Sequence, residues 1–197
     1  SFPLVFLTAY HMLVTKAQTG PGDTVLVVGG SSGVGTAAIQ VAKLLGAKVI
    51  ATAGDGGKLA KATELGADHV INHYEQDVLG EVQRLTGKKG VDVVVEHVGK
   101  ATGEGSVKAL AKGGRLVLCG ATTGAEVTTD LRYVYNRELT VYGSFMAGRG
   151  ELLKVVDLFN EGRLKTVVDS AFPLSDAASA QKRMEESRHF GKIVLEV

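Results

Sequence analysis

Thr24-Val25-Leu26-Val27-Val28-Gly29-Gly30-Ser31-Ser32-Gly33-Val34-Gly35 decides how this chain is read. An apolar run enters a turn of small residues, and the turn opens into the helical pattern Thr36 to Leu45. Gly46 stops that pattern, and a second apolar run follows from Lys48 to Ala53. Strand, tight turn, helix and strand within about thirty residues make a β-α-β unit. The helix N-terminus of such a unit directs unsatisfied N–H groups and the positive end of its dipole at whatever lies outside the turn. An anion suits that geometry. Gly30, Ser32 and Gly35 stand at the glycine positions of G-x-G-x-x-G, with Ser32 in place of the middle glycine and Gly33-Val34 between. The functional reading is dinucleotide binding; the alternative is a glycine-rich turn that serves tight packing alone.

Outward from this unit, apolar runs alternate with helical patterns. The spacing predicts strands at 24–29, 48–53, 69–72, 91–96, 114–119 and 139–144, and helices at 33–45, 57–65, 75–86, 102–111 and 130–136. Near-continuous runs such as Val91-Asp92-Val93-Val94-Val95 suit a parallel sheet covered on both faces. The fold class that follows is α/β, a Rossmann-type doubly wound sheet of six parallel strands in the order 3-2-1-4-5-6. Residues 2–18 read as a helix leading in, stopped at Pro21-Gly22-Asp23. Beyond 144 come a helix at 149–161, a strand at 166–172, a helix N-capped by Ser175 and a last strand from Lys192 to Val197. These pieces are surplus to the six-stranded sheet. The division expected is a dinucleotide-binding domain at 1–165 and, at 166–197, part of a second domain.

Composition narrows the partners. A net charge of +1 gives no electrostatic footprint for nucleic acid, and no apolar stretch is long enough for a membrane span. The single Cys119 excludes an intramolecular disulfide and a Cys-cluster zinc site. Histidines 11, 69, 73, 97 and 189 show no metal-ligand spacing. A soluble cytoplasmic protein without nucleic-acid or membrane partners, and with no zinc in this chain, is expected.

The strand ends should carry the cofactor, because ligands of open α/β sheets sit outside the carboxyl ends of the strands. At the end of the second strand, NAD-specific sites place an acid for the ribose 2′-OH. Here Ala53 and Gly54 leave room for a 2′-phosphate and Lys58 could neutralise it, whereas Asp55 could accept a ribose hydroxyl bond. The balance favours NADP(H), with NAD(H) as the alternative. His97-Val98-Gly99, Cys119-Gly120-Ala121 and Gly143-Ser144-Phe145 follow the fourth, fifth and sixth strands. His97 is read as a hydrogen-bonded lining residue, with a proton relay as the alternative. Cys119 is read as a small filler, since no His-plus-acid constellation accompanies it. Gly29 to Gly35 also fits the turn of short-chain dehydrogenases, but none of the chain's tyrosines has Lys four residues on, as their acid–base step requires. A methyltransferase would want an acid at the end of the second strand and is set aside for lacking it.

Leu7-Thr8-Ala9-Tyr10-His11-Met12-Leu13, Pro21-Gly22-Asp23-Thr24, Ser31-Ser32-Gly33-Val34-Gly35, Leu65-Gly66-Ala67-Asp68, Gly113-Gly114-Arg115 and Phe190-Gly191-Lys192 resemble the medium-chain dehydrogenase/reductase superfamily. The likeness is strongest to its zinc-type alcohol dehydrogenase, quinone oxidoreductase and acryloyl-CoA reductase branch. The resemblance implies NAD(P)H-dependent hydride transfer to a small carbonyl, enone, quinone or enoyl thioester. It adds Thr8, His73 and Lys192 to the cofactor-binding set that Ser144 and Phe145 join as strand-end residues, and implies a homodimer through strand 139–144. It also implies a GroES-like domain of roughly 120–130 residues preceding this chain, a size ordinary for one domain. Catalytic residues are expected there, so none is assigned here, and the isolated chain is expected to be inactive. Three positions depart from the family pattern. Val5 stands where zinc enzymes carry a ligand Cys, His73 where reductase relatives carry Tyr, and Ser32 where they carry a smaller residue, its hydroxyl offering a donor to phosphate. A stand-alone nucleotide-binding module without catalysis is the other function class.

Overall fold

The computed structural model describes residues 2–197. Six parallel strands form the main sheet: β1 Thr24–Val27, β2 Lys48–Ala53, β3 His69–Asn72, β4 Val91–Glu96, β5 Leu110–Leu118 and β6 Thr140–Gly143. Their order is β3-β2-β1-β4-β5-β6, as the alternation predicts. β1 pairs with β2 on one side and β4 on the other, so the chain reverses its winding at the end of β1 and opens a crevice there. Helices α2 Gly33–Leu44, α3 Gly56–Glu64, α4 Val78–Leu85, α5 Gly103–Ala109 and α6 Leu131–Asn136 make the crossovers.

The central strands β1, β2 and β4 are dry on both faces, which explains their unbroken apolar runs. Val25, Val27, Val49, Ala51, Val93 and Val95 face one core, shared with α2 and the lead-in helix α1 Phe2–Tyr10. Leu26, Val28, Ile50, Ile71 and Val94 face the other, under α4 and α5. Each fully buried Val or Ile contributes about 1.5–3 kcal/mol of transfer free energy. Phe2 and Phe6 stack on Phe159 of helix α7 Arg149–Asn160, with ring centroids 4.3 and 4.8 Å apart, and tie the lead-in to the segment after the sheet.

The structure corrects the sequence reading in four places. The lead-in is not one helix: α1 gives way to a π-helical turn, His11–Lys16. Helix 75–86 is shorter, since Asp77 caps its start by accepting from the Leu79 N–H. β5 begins at Leu110 rather than 114, because Leu110 takes an extended backbone and pairs with Val91; a register shift before Val93–Arg115 loops out the glycine pair Gly113-Gly114. Ser175 does not cap a helix. It lies in a 3-10 turn, Leu174–Asp176, and helix α8 Ala177–Glu185 starts after Asp176 with no side-chain cap bond. α8 connects β7 Val168–Pro173 to β8 Lys192–Glu196, which pair in a separate parallel sheet.

Candidate cofactor site

The turn after β1 is locked from behind. Gly29 adopts φ +65°, its N–H donates to Thr52 Oγ1 (3.0 Å), and the Gly30 N–H donates to the Thr52 carbonyl (2.8 Å). A Cβ at Gly29 would lie 3.0 Å from His97 Cε1, and one at Gly30 would lie 3.0 Å from Ala51 Cβ. A Cβ at Gly35 would fall 2.2 Å from the Gly29 carbonyl oxygen. Gly35 therefore serves the packing of α2 on the turn, the part the third glycine of such a motif plays. Ser32 caps α2: its Oγ accepts the Gly35 N–H (2.9 Å) and lies 3.0 Å from His97 Nε2. The hydroxyl is thus engaged within the protein rather than held free for a phosphate.

What remains for an anion is the helix end itself. The N–H groups of Gly33 and Val34 have no acceptor among the described residues. Lys192 lies across this end, since a Cβ at Gly33 would meet its Cδ at 2.6 Å. No carboxylate pairs with the Lys192 ammonium among the described residues. Ser31 sits beside it and gives its carbonyl to the Gly191 N–H (2.8 Å). Two free donors, a dipole end and an unpaired cation fit the pyrophosphate of a dinucleotide.

At the end of β2, Ala53 is buried and Gly54 is overlaid by aromatic rings: a Cβ there would meet Tyr74 Cε2 at 2.6 Å and His73 Nε2 at 3.3 Å. Asp55 caps α3 by accepting the Lys58 N–H (2.9 Å), and that bond outweighs its slight burial to hold the carboxyl below the usual range. Lys58 Nζ lies 3.4 Å from Asp55 and donates to the Ser187 carbonyl. The cation is therefore partly committed inside the protein. Burial, with the Lys58 charge nearby, pushes the His73 pKa down.

The remaining strand ends close the crevice. His97 is shifted down chiefly by burial, which leaves it neutral at pH 7. A Cβ at Gly120 would lie 3.2 Å from the His97 carbonyl, and one at Gly99 (φ +87°) 2.5 Å from Gly124 O and 2.9 Å from Ala121. Val98, Thr52, His73, Tyr74, Val28 and Thr102 are among the residues lining a cavity of about 550 Å³ between these loops, α4 and α5, large enough for a nucleoside. Glu96, with 1% exposure, organises that wall. Its carboxylate accepts from the Val98 N–H (2.6 Å), Gly99 N–H (3.2 Å), Thr102 Oγ1 (2.9 Å) and Ser106 Oγ (2.6 Å).

Sequence reasoning missed Glu96 and Thr52. The acid closing Val91-Asp92-Val93-Val94-Val95-Glu96 was the available signal for the first. Other expected residues differ in their surroundings. Thr8 spends its hydroxyl on the Leu4 carbonyl (2.8 Å), Ser144 Oγ is buried without a partner, and Phe145 is 92% exposed. Burial pushes the Cys119 thiol up to about 11, which removes it as a nucleophile at neutral pH. Among the described residues, no group of three or more His, Cys, Asp or Glu side chains comes together to hold a metal. No helix described is long and apolar enough to cross a membrane.

Residues 33–161 match the family model of the zinc-binding dehydrogenases. A crystal structure of an NAD-dependent alcohol dehydrogenase is 49% identical, with a TM-score of 0.94 over 99% of this chain and 57% of that one. A 2-octenoyl-CoA carboxylase reductase, solved in complex with NADP and 2-octenoyl-CoA, is 32% identical, with a TM-score of 0.91 over 98% of this chain and 48% of its own. A 2-haloacrylate reductase from a Burkholderia species is 34% identical over 203 residues, 96% of this chain and 60% of that protein. The chain spans 60% or less of the length of the curated relatives it matches.

Proposed function

The chain belongs to the zinc-binding dehydrogenase family, and from that premise we propose that it is the nicotinamide-dinucleotide-binding part of an oxidoreductase. The observation that carries this reading is the open N-terminus of α2, with the Gly33 and Val34 N–H groups free and Lys192 across it. When bound there, the dinucleotide supplies a hydride donor or acceptor at its nicotinamide ring. The chain's own residues bind and orient. The α2 terminus and Lys192 hold the pyrophosphate, the cavity beside Val28 and Val98 takes the adenosine, and Glu96 fixes the loop that walls it. His97, shifted down by burial and hydrogen-bonded to Ser32, lines the turn and holds its first residues in place. Substrate is a small carbonyl, enone, quinone or enoyl thioester. Its second wall comes from a preceding GroES-like domain, to which residues 166–197 also belong.

The preferred cofactor is NADP(H). Ala53 puts no carboxylate against a 2′-phosphate, His73 stands beside Gly54, and the Lys58 charge lies near His73. NAD(H) is favoured instead by one observation, the ionised Asp55 next to Gly54, and by the name of the 49% identical relative. Titration of the chain with NADPH and NADH decides. Tighter NADPH binding, reversed by Ala53→Asp through charge repulsion, is expected, and equal affinities in the parent refute it. The chain also forms a two-fold dimer through the edge strand β6, where Val141, Phe145, Met146 and Tyr135 expose apolar surface.

A further inference from the structure

The turn between α8 and β8 is where the smaller sheet reaches the phosphate site. The Gly191 N–H donates to the Ser31 carbonyl, and the next residue is Lys192. Gly191 adopts φ +91°, and a Cβ on it would lie 2.4 Å from the Val167 carbonyl, so the backbone has one path through this point. One residue earlier, Phe190 is buried, and its N–H donates to Asp169 Oδ1 (3.0 Å). The same carboxylate accepts Arg183 Nε (2.6 Å), Arg183 Nη2 (3.2 Å) and Ser170 Oγ (2.9 Å), and its side chain is only 4% exposed.

The turn is held against resistance. Ser187 sits at φ +52°, a left-handed conformation unfavourable for a residue with a Cβ. His189 Nδ1 is buried without a hydrogen-bond partner. A segment with those two costs stays docked only while other contacts hold it. The contacts that hold it include the Asp169 cluster, the Gly191–Ser31 bond, the Lys58–Ser187 bond, the packing of Phe190 under Lys61, and, just beyond the turn, the Lys192 N–H bond to the Val167 carbonyl (2.9 Å).

We propose that Asp169 is a positioning residue for the cofactor phosphates: by clamping the Phe190 N–H and Arg183 it fixes the 187–191 turn, and so keeps Lys192 across the N-terminus of α2. The inference rests on the reading of that terminus as the phosphate site. Asp169 touches neither cofactor nor substrate, and its influence passes through the backbone to Lys192. Burial pushes its carboxyl up, but Arg183 and the Phe190 N–H outweigh that and bring it to about 2, so the clamp stays charged at every working pH.

The test is a fluorescence titration with NADPH on five forms of the chain: parent, Asp169→Asn, Arg183→Met, Lys192→Met, and Asp169→Asn with Lys192→Met. Asp169→Asn and Arg183→Met are each expected to weaken binding about 5-fold and Lys192→Met about 10-fold, with the double variant within about 2-fold of Lys192→Met alone. The salt dependence of binding should flatten in the clamp variants as in Lys192→Met, because a cation has left the phosphates; a purely structural weakening would leave the slope intact. Parental affinity in a folded Asp169→Asn or Arg183→Met overturns the proposal, and so do additive losses in the double variant. Should Asp169→Asn fail to fold, Arg183→Met decides alone, since that side chain is one-third exposed. No binding of NADPH or NADH by the parent overturns the phosphate reading itself, and the proposal with it.

Discussion

Gly35→Ala separates packing from ligand contact more sharply than any other change in the turn. The added Cβ would stand 2.2 Å from the Gly29 carbonyl oxygen, 2.8 Å from Gly30 Cα and 3.0 Å from the Gly29 carbonyl carbon. All three are backbone, so no rotamer change relieves the contact. Ordinary van der Waals distance requires α2 and the turn to separate by about 1 Å. Overpacking of that kind costs about 2–3 kcal/mol, which for a domain this size lowers Tm by about 5–10 °C. The same displacement carries away the Gly33 and Val34 N–H groups, and NADPH affinity should fall at least about 10-fold, or 1.4 kcal/mol. Gly33→Ala is the internal control. Its Cβ would meet Lys192 Cδ at 2.6 Å, the stem of a flexible side chain that can swing aside, and Val5 Cγ1 at a milder 3.2 Å. It should leave Tm nearly unchanged while weakening NADPH, because what moves is the cation. Thermal unfolding by circular dichroism and cofactor fluorescence, run on both variants, give the comparison. A Gly35→Ala protein with parental Tm, or a Gly33→Ala protein that loses as much stability, would refute the reasoning.

Glu96→Ala strands two backbone N–H groups and should cost about 3 kcal/mol in urea unfolding, whereas Glu96→Gln, able to keep one acceptor toward Val98 and Gly99, should cost about 1. His97 has a depressed pKa in the fold, so the unfolded chain takes up its proton first: stability should be full above about pH 6.5 and decline as pH falls through the folded value, and His97→Asn should reduce that decline in pH-dependent melts. Light scattering at tens of micromolar should show a dimer that Val141→Lys dissociates; a monomeric parent contradicts the edge pairing.

The sheet was legible because its central strands are dry on both faces. β2, β3 and β4 have the bounds that their apolar runs predict, and Gly46 and Gly66 end the preceding helices at positive φ. Apolar periodicity does not record where a chain leaves one helix type for another, so the π-turn at His11–Lys16 was invisible. The start of β5 was hidden for a similar reason: Leu110 suits a helix end and a strand start equally, and only its pairing with Val91 decides. At the site, the glycine spacing located the turn and the packing role of Gly35, but not the direction of Ser32, whose hydroxyl turns inward to the Gly35 N–H and His97. Lys58 faces inward: its bond to Ser187 links residues 129 apart, which local pattern cannot express. The clamp at Asp169 is of the same kind.

The hydrogen bond from Gly191 to Ser31 closes a loop of about 160 residues, and closing a flexible chain of that length costs about 4–5 kcal/mol beyond a constant. Contacts of such long range form late, after local strands and crossover helices have already collapsed. The β1–α2 turn can therefore take its shape early from Thr52 and Ala51 and still lack its cation until β7, α8 and β8 have assembled and settled against it. Binding competence becomes a property of the finished topology rather than of the motif. A ligand that bridges the two regions would repay part of the closure entropy and act as a fastener for the far end of the chain.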